Sequence, residues 1–201
     1  MGNRTKWAWA LALAVTLTVA AFTPKLSEAS TAREYALKAG YLFKFLHLVE
    51  WPNEGQRPNF VIAVVGPGPF GPSLDDLSGK VVRGKTIRLS TFDKVPNPAP
   101  TEQVILFVDR ANQEKFAPIR QRLEKMNVLT VGEGAKFAEE GGCINLVTVK
   151  NRVRFRMNVD AVRRANLKVS PKLVEVASVL VTDKGEQASM EEYQDILAFN
   201  L

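Results

Sequence analysis

Two short runs of this chain contain no polar residue: Phe60-Val-Ile-Ala-Val-Val65 and Val104-Ile-Leu-Phe-Val108. Successive side chains of a strand point to opposite faces, so a strand that is apolar throughout must be covered on both sides. That requirement places each run inside a sheet with a layer of structure on either face. Around them, strand patterns alternate with helical ones. The chain therefore reads as α/β: a single compact domain with a mixed, mostly parallel central sheet flanked by helices, and a C-terminal β-hairpin.

The remaining elements follow in order. Thr31 and Glu34 have the spacing of a capping box. Behind them Tyr35, Leu42, Phe45, Leu46 and Val49 recur on one helical face, and Trp51-Pro52 ends the helix. Phe43, Phe45, Leu46 and Trp51 exceed what one stripe needs, which leaves apolar surface for a dimer or partner contact. Phe70 to Leu77 predicts a short helix ending at Gly79, and Thr86 to Thr91 a strand. Asn97 to Pro100 is a turn. Ala111 to Lys125 predicts a helix and Val128 to Val131 a strand. A Gly-rich loop and short helix then lead into the hairpin. Lys172 to Val181 predicts a last core helix, and beyond Thr182 the chain turns polar.

The stretch from Gly141 to Leu173 carries the most information about function. Two alternating segments meet at Lys150-Asn151, the pattern of a β-hairpin. In the second segment Val153, Phe155, Met157 and Val159 share one face, and Arg152, Arg154, Arg156 and Asn158 share the other. Asp160 stands at the N-cap position of a short helix bearing Arg163 and Arg164. Ser170-Pro171 is a second cap followed by proline at the first helical position. Like charges this close favour an anionic counterpart, either a phosphate-bearing ligand or an acidic partner surface. The competing reading is a solvated edge strand, where positive charge blocks edge-to-edge association.

The first residues set the compartment. Arg4 and Lys6 precede an apolar run, Trp7 to Phe22, and Ser27-Glu28-Ala29 offers small residues where a signal peptidase reads. This is the layout of a secretory signal peptide, 1–29, with cleavage after Ala29. The run is shorter than the roughly twenty residues that span a bilayer, which disfavours an uncleaved anchor. Residues 30–181 then form the domain and 182–201 a tail. The net charge of +6 falls when Arg4, Lys6, Lys25 and Glu28 leave, and is too small to argue for nucleic acid.

Chemistry-bearing residues are few. Cys143 is the one cysteine and His47 the one histidine. No intrachain disulfide can form, zinc lacks ligands, and the familiar nucleophile–histidine pairs have no members unless His47 serves. Cys143 is expected to be a small buried hydrophobe, and His47 a packed, hydrogen-bonded one. No cofactor is expected. Gly66-Pro-Gly-Pro-Phe-Gly71 fits the dinucleotide fingerprint by its letters, but Pro67 and Pro69 remove two backbone donors that a pyrophosphate would need. Gly79-Lys-Val-Val-Arg-Gly-Lys-Thr86 fits a P-loop by its letters, but a helix precedes it and a strand follows, the reverse of the working order.

Several blocks together carry a family resemblance. They are Lys38-Ala-Gly-Tyr-Leu-Phe-Lys-Phe45, Val49-Glu-Trp-Pro52, Gly66 with Phe70-Gly71, and Gly79-Lys-Val-Val-Arg-Gly84. Toward the C-terminus come Gly141-Gly-Cys-Ile-Asn-Leu146, Arg152-Val-Arg-Phe155, Asn158-Val-Asp160, Ala165-Asn-Leu-Lys-Val-Ser170 and Leu173. In this order and spacing the chain resembles the YfiR-like family of bacterial periplasmic proteins. The resemblance implies an α/β domain with no known catalysis, often a dimer. It implies a regulator that restrains an inner-membrane diguanylate cyclase, and through it cyclic-di-GMP signalling and biofilm behaviour. Some relatives carry redox-responsive disulfides; Cys143 has no partner for one. The other function class is an extracytoplasmic small-anion binding protein or sensor. In both, Arg152, Arg154, Arg156, Asn158, Arg163 and Arg164 are the expected ligand- or partner-binding residues.

Overall fold

The structure, a computed structural model, describes residues 23–183 apart from 53, 67, 69 and 93–102. The expected turn at Asn97–Pro100, the tail beyond residue 183 and most of the signal segment lie outside the described residues. A long helix α1 (Thr23–Leu48) comes first and runs directly into a short strand β1 (Val49–Glu50). Then come β2 (Asn59–Val65), α2 (Pro72–Asp75), β3 (Val81–Val82), β4 (Lys85–Phe92) and β5 (Gln103–Val108). Helix α3 (Arg120–Lys125), β6 (Leu129–Gly132), β7 (Ile144–Val149) and β8 (Arg152–Asn158) follow. The last elements are α4 (Val159–Arg164), β9 (Lys168–Val169), α5 (Pro171–Val176) and β10 (Val179–Val181).

Eight of the described strands form one sheet in the order β3-β4-β2-β5-β6-β7-β8-β10. The five contacts β4/β2, β2/β5, β5/β6, β6/β7 and β8/β10 are parallel, and β3/β4 and β7/β8 are antiparallel. The mixed, mostly parallel sheet is the one expected. The two apolar runs, β2 and β5, lie adjacent at its centre and are buried on both faces, as their composition demands. Phe60, Ile62, Val64, Ile105 and Phe107 belong to one core cluster, while Val61, Ala63, Val65, Val104, Leu106 and Val108 belong to the other.

The first cluster lies under α1. Leu42, Phe45 and Leu46 are fully buried, each contributing about 1.5–3 kcal/mol of apolar burial. Phe155 of β8 meets the rings of Phe45 and Tyr41 edge-on, with centroids 5.5 and 5.9 Å apart, the arrangement that ring quadrupoles favour. Strand β1 pairs with β9 in a separate antiparallel ribbon and so ties the end of α1 to the C-terminal region. The apolar excess noted in the sequence is largely absorbed here: Trp51 is buried and Phe43 half-buried. On the other face Phe116, Leu123 and Phe137 cover the centre of the sheet.

Five expectations require correction. Thr31 is not a cap, because α1 already begins at Thr23; Glu34 instead ion-pairs with Lys38 one turn on, at 2.6 Å. The Ala111–Lys125 helix is divided into 3₁₀ turns at Arg110–Lys115 and Ala117–Ile119 and the short α3. Pro118 breaks it, having no N–H to donate and a ring that crowds the preceding turn. The stretch before β7 consists of turns rather than a helix. The Lys172–Val181 stripe ends as a helix at Val176 and continues as strand β10. Last, the hairpin is not the edge of the sheet, because β10 pairs along Arg156–Asn158.

Both motif matches have packing roles. Gly66, at φ +84°, directly follows β2 and donates its N–H to the Phe92 carbonyl at 2.7 Å. A Cβ there would lie 2.8 Å from Asn112 Nδ2, so the glycine makes room for that amide. Asn112 donates to Asp109 and accepts from Lys115. Arg83 and Gly84, both with positive φ, form the tight turn between β3 and β4, as the sequence indicated. Arg83 then reaches the Val49 carbonyl at 2.7 Å and the Glu54 carboxylate at 3.0 Å.

Candidate functional site

The hairpin has the geometry its sequence predicts. Val149 pairs with Arg152 across a two-residue turn, and Lys150 and Asn151 have φ of 49° and 58°. Two left-handed residues make the primed turn whose twist matches the strands. Val153, Phe155 and Met157 are buried toward α1. Their alternates Arg152, Arg154 and Arg156 stand on the other face, opposite Val149, Val147 and Asn145. The Tyr41 hydroxyl donates to the Val153 carbonyl at 3.0 Å and so satisfies strand backbone that β10 does not reach.

The six polar residues of this region do not form one cluster. Arg156 is half-buried and paired with Glu139. Asn158 is wholly buried: its amide donates to the Ala138 carbonyl at 2.7 Å and to Asp183 at 3.0 Å, and its oxygen accepts from Ala161 N–H at 2.9 Å. It is therefore the N-cap of α4, a place the sequence reading gave to Asp160, which is already helical. Arg163 lies 3.8 Å from Asp160. Arg164 joins Glu124 at 2.9 Å and is also paired with Asp183. Burial alone would lower the Arg164 pKa, but the hydrogen bonds that the guanidinium donates to these carboxylates outweigh it and raise the pKa. Arg152 and Arg154 remain exposed, with no ion pair to another described residue. The arginine face thus reduces to the tip of the hairpin.

The sequence reading missed what stands beside that tip. The early turns of α1 and the β7–β8 turn enclose a groove of about 610 Å³, into which Arg33, Lys150 and Arg152 converge. Nothing in the sequence signals this, because Arg33 lies more than a hundred residues from the hairpin. Glu34, also in the lining, accepts from the Thr148 hydroxyl at 2.9 Å and pairs with Lys38. Burial pushes the Glu34 pKa up, but the Lys38 and Thr148 hydrogen bonds outweigh it and hold the carboxyl below its ordinary value. A depressed carboxylate contributes stability above its unfolded pKa and loses it as pH falls through the folded one. Acid titration of the wild type between pH 6 and 3 is therefore expected to show a loss of stability that Glu34→Gln lacks. Equal acid sensitivity of the two proteins would contradict this assignment.

A second cluster lies deeper. Lys38 is 3% exposed, and its ammonium meets Glu133 at 2.5 Å and sits 4.2 Å over the Tyr35 ring. The Tyr35 hydroxyl donates to the Glu133 carboxylate at 2.9 Å, and burial followed by that carboxylate raises the phenol's pKa strongly. Lys38 within a buried helical stripe was the sequence signal for this, since a lysine is buried there only when paired. Cys143 is buried and free as expected, and burial pushes its thiol pKa up, away from reactive thiolate chemistry. His47 departs from expectation: it is exposed and edge-on to Phe43 at 5.0 Å. Among the described residues no group of His, Cys, Asp and Glu has the arrangement of a metal site.

A family model described as YfiR/HmsC-like matches residues 35–178, nearly the whole described domain. The chain belongs to the YfiR/HmsC-like family. That match spans the hairpin, the Lys38 cluster and all six polar residues considered above. Members of the family are regulatory rather than catalytic, and membership is consistent with periplasmic regulation of cyclic-di-GMP signalling. No curated protein matches the chain. No helix among the described residues is long and apolar enough to cross a membrane.

Proposed function

We propose that this chain is a non-enzymatic periplasmic regulator that restrains an inner-membrane diguanylate cyclase, and so limits cyclic-di-GMP output and biofilm formation. The family match over residues 35–178 carries this reading. Export uses residues 1–29, with cleavage after Ala29, leaving the 30–181 domain and the 182–201 tail. The partner surface is the hairpin tip, where Arg152 and Arg154 stand exposed beside Val149, which is 51% exposed. Cations without protein counter-charges next to an apolar side chain suit an acidic partner surface: charge sets register and encounter, and apolar contact excludes water. Arg156, Arg163 and Arg164 act through the fold, since each is paired to a carboxylate of this chain.

The test is crosslinking in the native envelope followed by affinity capture. The reading predicts recovery of an inner-membrane diguanylate cyclase with the wild type, and its loss with Arg154→Glu in a folded protein. Capture of this chain alone, as a homodimer, would contradict it. A second reading, small-anion binding, draws on the cation-lined groove. It predicts that inorganic phosphate raises the melting temperature, because a ligand of the native state stabilises it by mass action.

A further inference from the structure

The groove beside the hairpin has a chemistry of its own. Arg33, Lys150 and Arg152 are all exposed and have no ion pair to another described residue. Glu34, the one carboxylate in the lining, shares the Lys38 ammonium with the buried Glu133, so these three groups together keep one negative charge. Arg33, Lys150 and Arg152 outnumber that single charge, so the field in the groove is positive. Its apolar neighbours are also exposed: Leu37, in the lining, is 46% accessible, and Val149, paired with Arg152, is 51% accessible. Cations flanked by exposed aliphatic side chains match a bilayer interface, where lipid phosphates take the charge and the acyl boundary takes the apolar tips. A site for a free anion would instead enclose its cations.

Position along the chain agrees. Ala29 and Ser30 line the groove. If the chain is cut after Ala29, the new amino terminus at Ser30 falls in the groove and adds a further positive charge.

We propose that this groove binds the phosphate headgroups of an anionic bilayer and holds the domain against the membrane surface. The inference shares Arg152 and Val149 with the partner surface proposed above, but it is tested apart from the cyclase reading, because a lipid vesicle contains no protein partner. The test is co-sedimentation of the exported mature chain with vesicles of phosphatidylglycerol or of phosphatidylcholine. Binding to phosphatidylglycerol alone is expected, weakening as ionic strength rises. Each surface cation contributes about five-fold in partitioning, so R33Q/K150Q is expected to bind about 30-fold more weakly. Its circular dichroism and melting temperature should match the wild type, since both side chains are exposed. Absence of binding to phosphatidylglycerol, or undiminished binding by the double variant, would overturn the proposal. So would stabilisation by inorganic phosphate without vesicle binding, which would assign the groove to a free anion. A variant that loses captured protein partner while the wild type ignores vesicles would also overturn it, in favour of an acidic protein segment.

Discussion

Lys38→Met is expected to destabilise the domain by about 3–5 kcal/mol, the cost of leaving a buried charge without its partner. Lys38 and Glu133 are 3% and 9% exposed and are joined at 2.5 Å. Without the ammonium, Glu133 keeps only the Tyr35 hydroxyl and a long contact from Arg110 N–H at 3.4 Å. Two neutral donors do not compensate a carboxylate removed from water. One of the two α1 side chains that hold the loop after β6 would then be lost, and these two segments are 95 residues apart in sequence. The double variant K38M/E133L is expected to recover part of the loss, since it removes the desolvated Glu133 carboxylate but still leaves Glu34 without Lys38 and the Tyr35 hydroxyl without its acceptor. Urea denaturation of both proteins checks this through the transition midpoint. A K38M midpoint equal to the wild type would show that the pair contributes nothing.

Asn158→Ala is expected to cost about 2–3 kcal/mol. The lost cap of α4 accounts for about 1 kcal/mol, and the unsatisfied Ala138 carbonyl for most of the remainder. For a domain of this size that corresponds to a melting temperature about 5–10 °C lower. The comparison with Arg154→Glu is informative because the sequence places both residues on one face. Arg154 is exposed, so its reversal should leave the melting temperature within about 1–2 °C. Calorimetry of the two variants therefore separates a residue that holds the fold from one free to meet a partner. Equal melting temperatures would refute the assignment of Asn158 as a structural cap.

These contrasts mark where the sequence is legible. The all-apolar β2 and β5 and the alternating β8 could be read because burial on two faces or one leaves a direct period in the letters. Lys150-Asn151 could be read because few residue pairs suit a primed turn. Strand β10 could not be separated from α5: Val174, Val176, Val179 and Val181 suit either period, and the choice depends on pairing with β8. Pro118 was a local signal that the helical reading of Ala111–Lys125 passed over. The arginine face failed for a different reason. Glu139, Glu124 and Asp183 lie 17, 40 and 19 residues from the arginines they neutralise, and no local pattern records such partners. The same holds for Arg33, brought to the hairpin only by the packing of α1 on the sheet.

The central claim is restraint of a cyclase through the hairpin tip. Intracellular cyclic-di-GMP tests it most directly, measured in a strain lacking this chain and in the same strain carrying the wild type or R152E/R154E. The account predicts a several-fold rise on deletion, return to the original level with the wild type, and a persistent rise with the exported, folded double variant. An unchanged level on deletion would contradict the regulatory role, and full complementation by R152E/R154E would contradict the surface assigned to it.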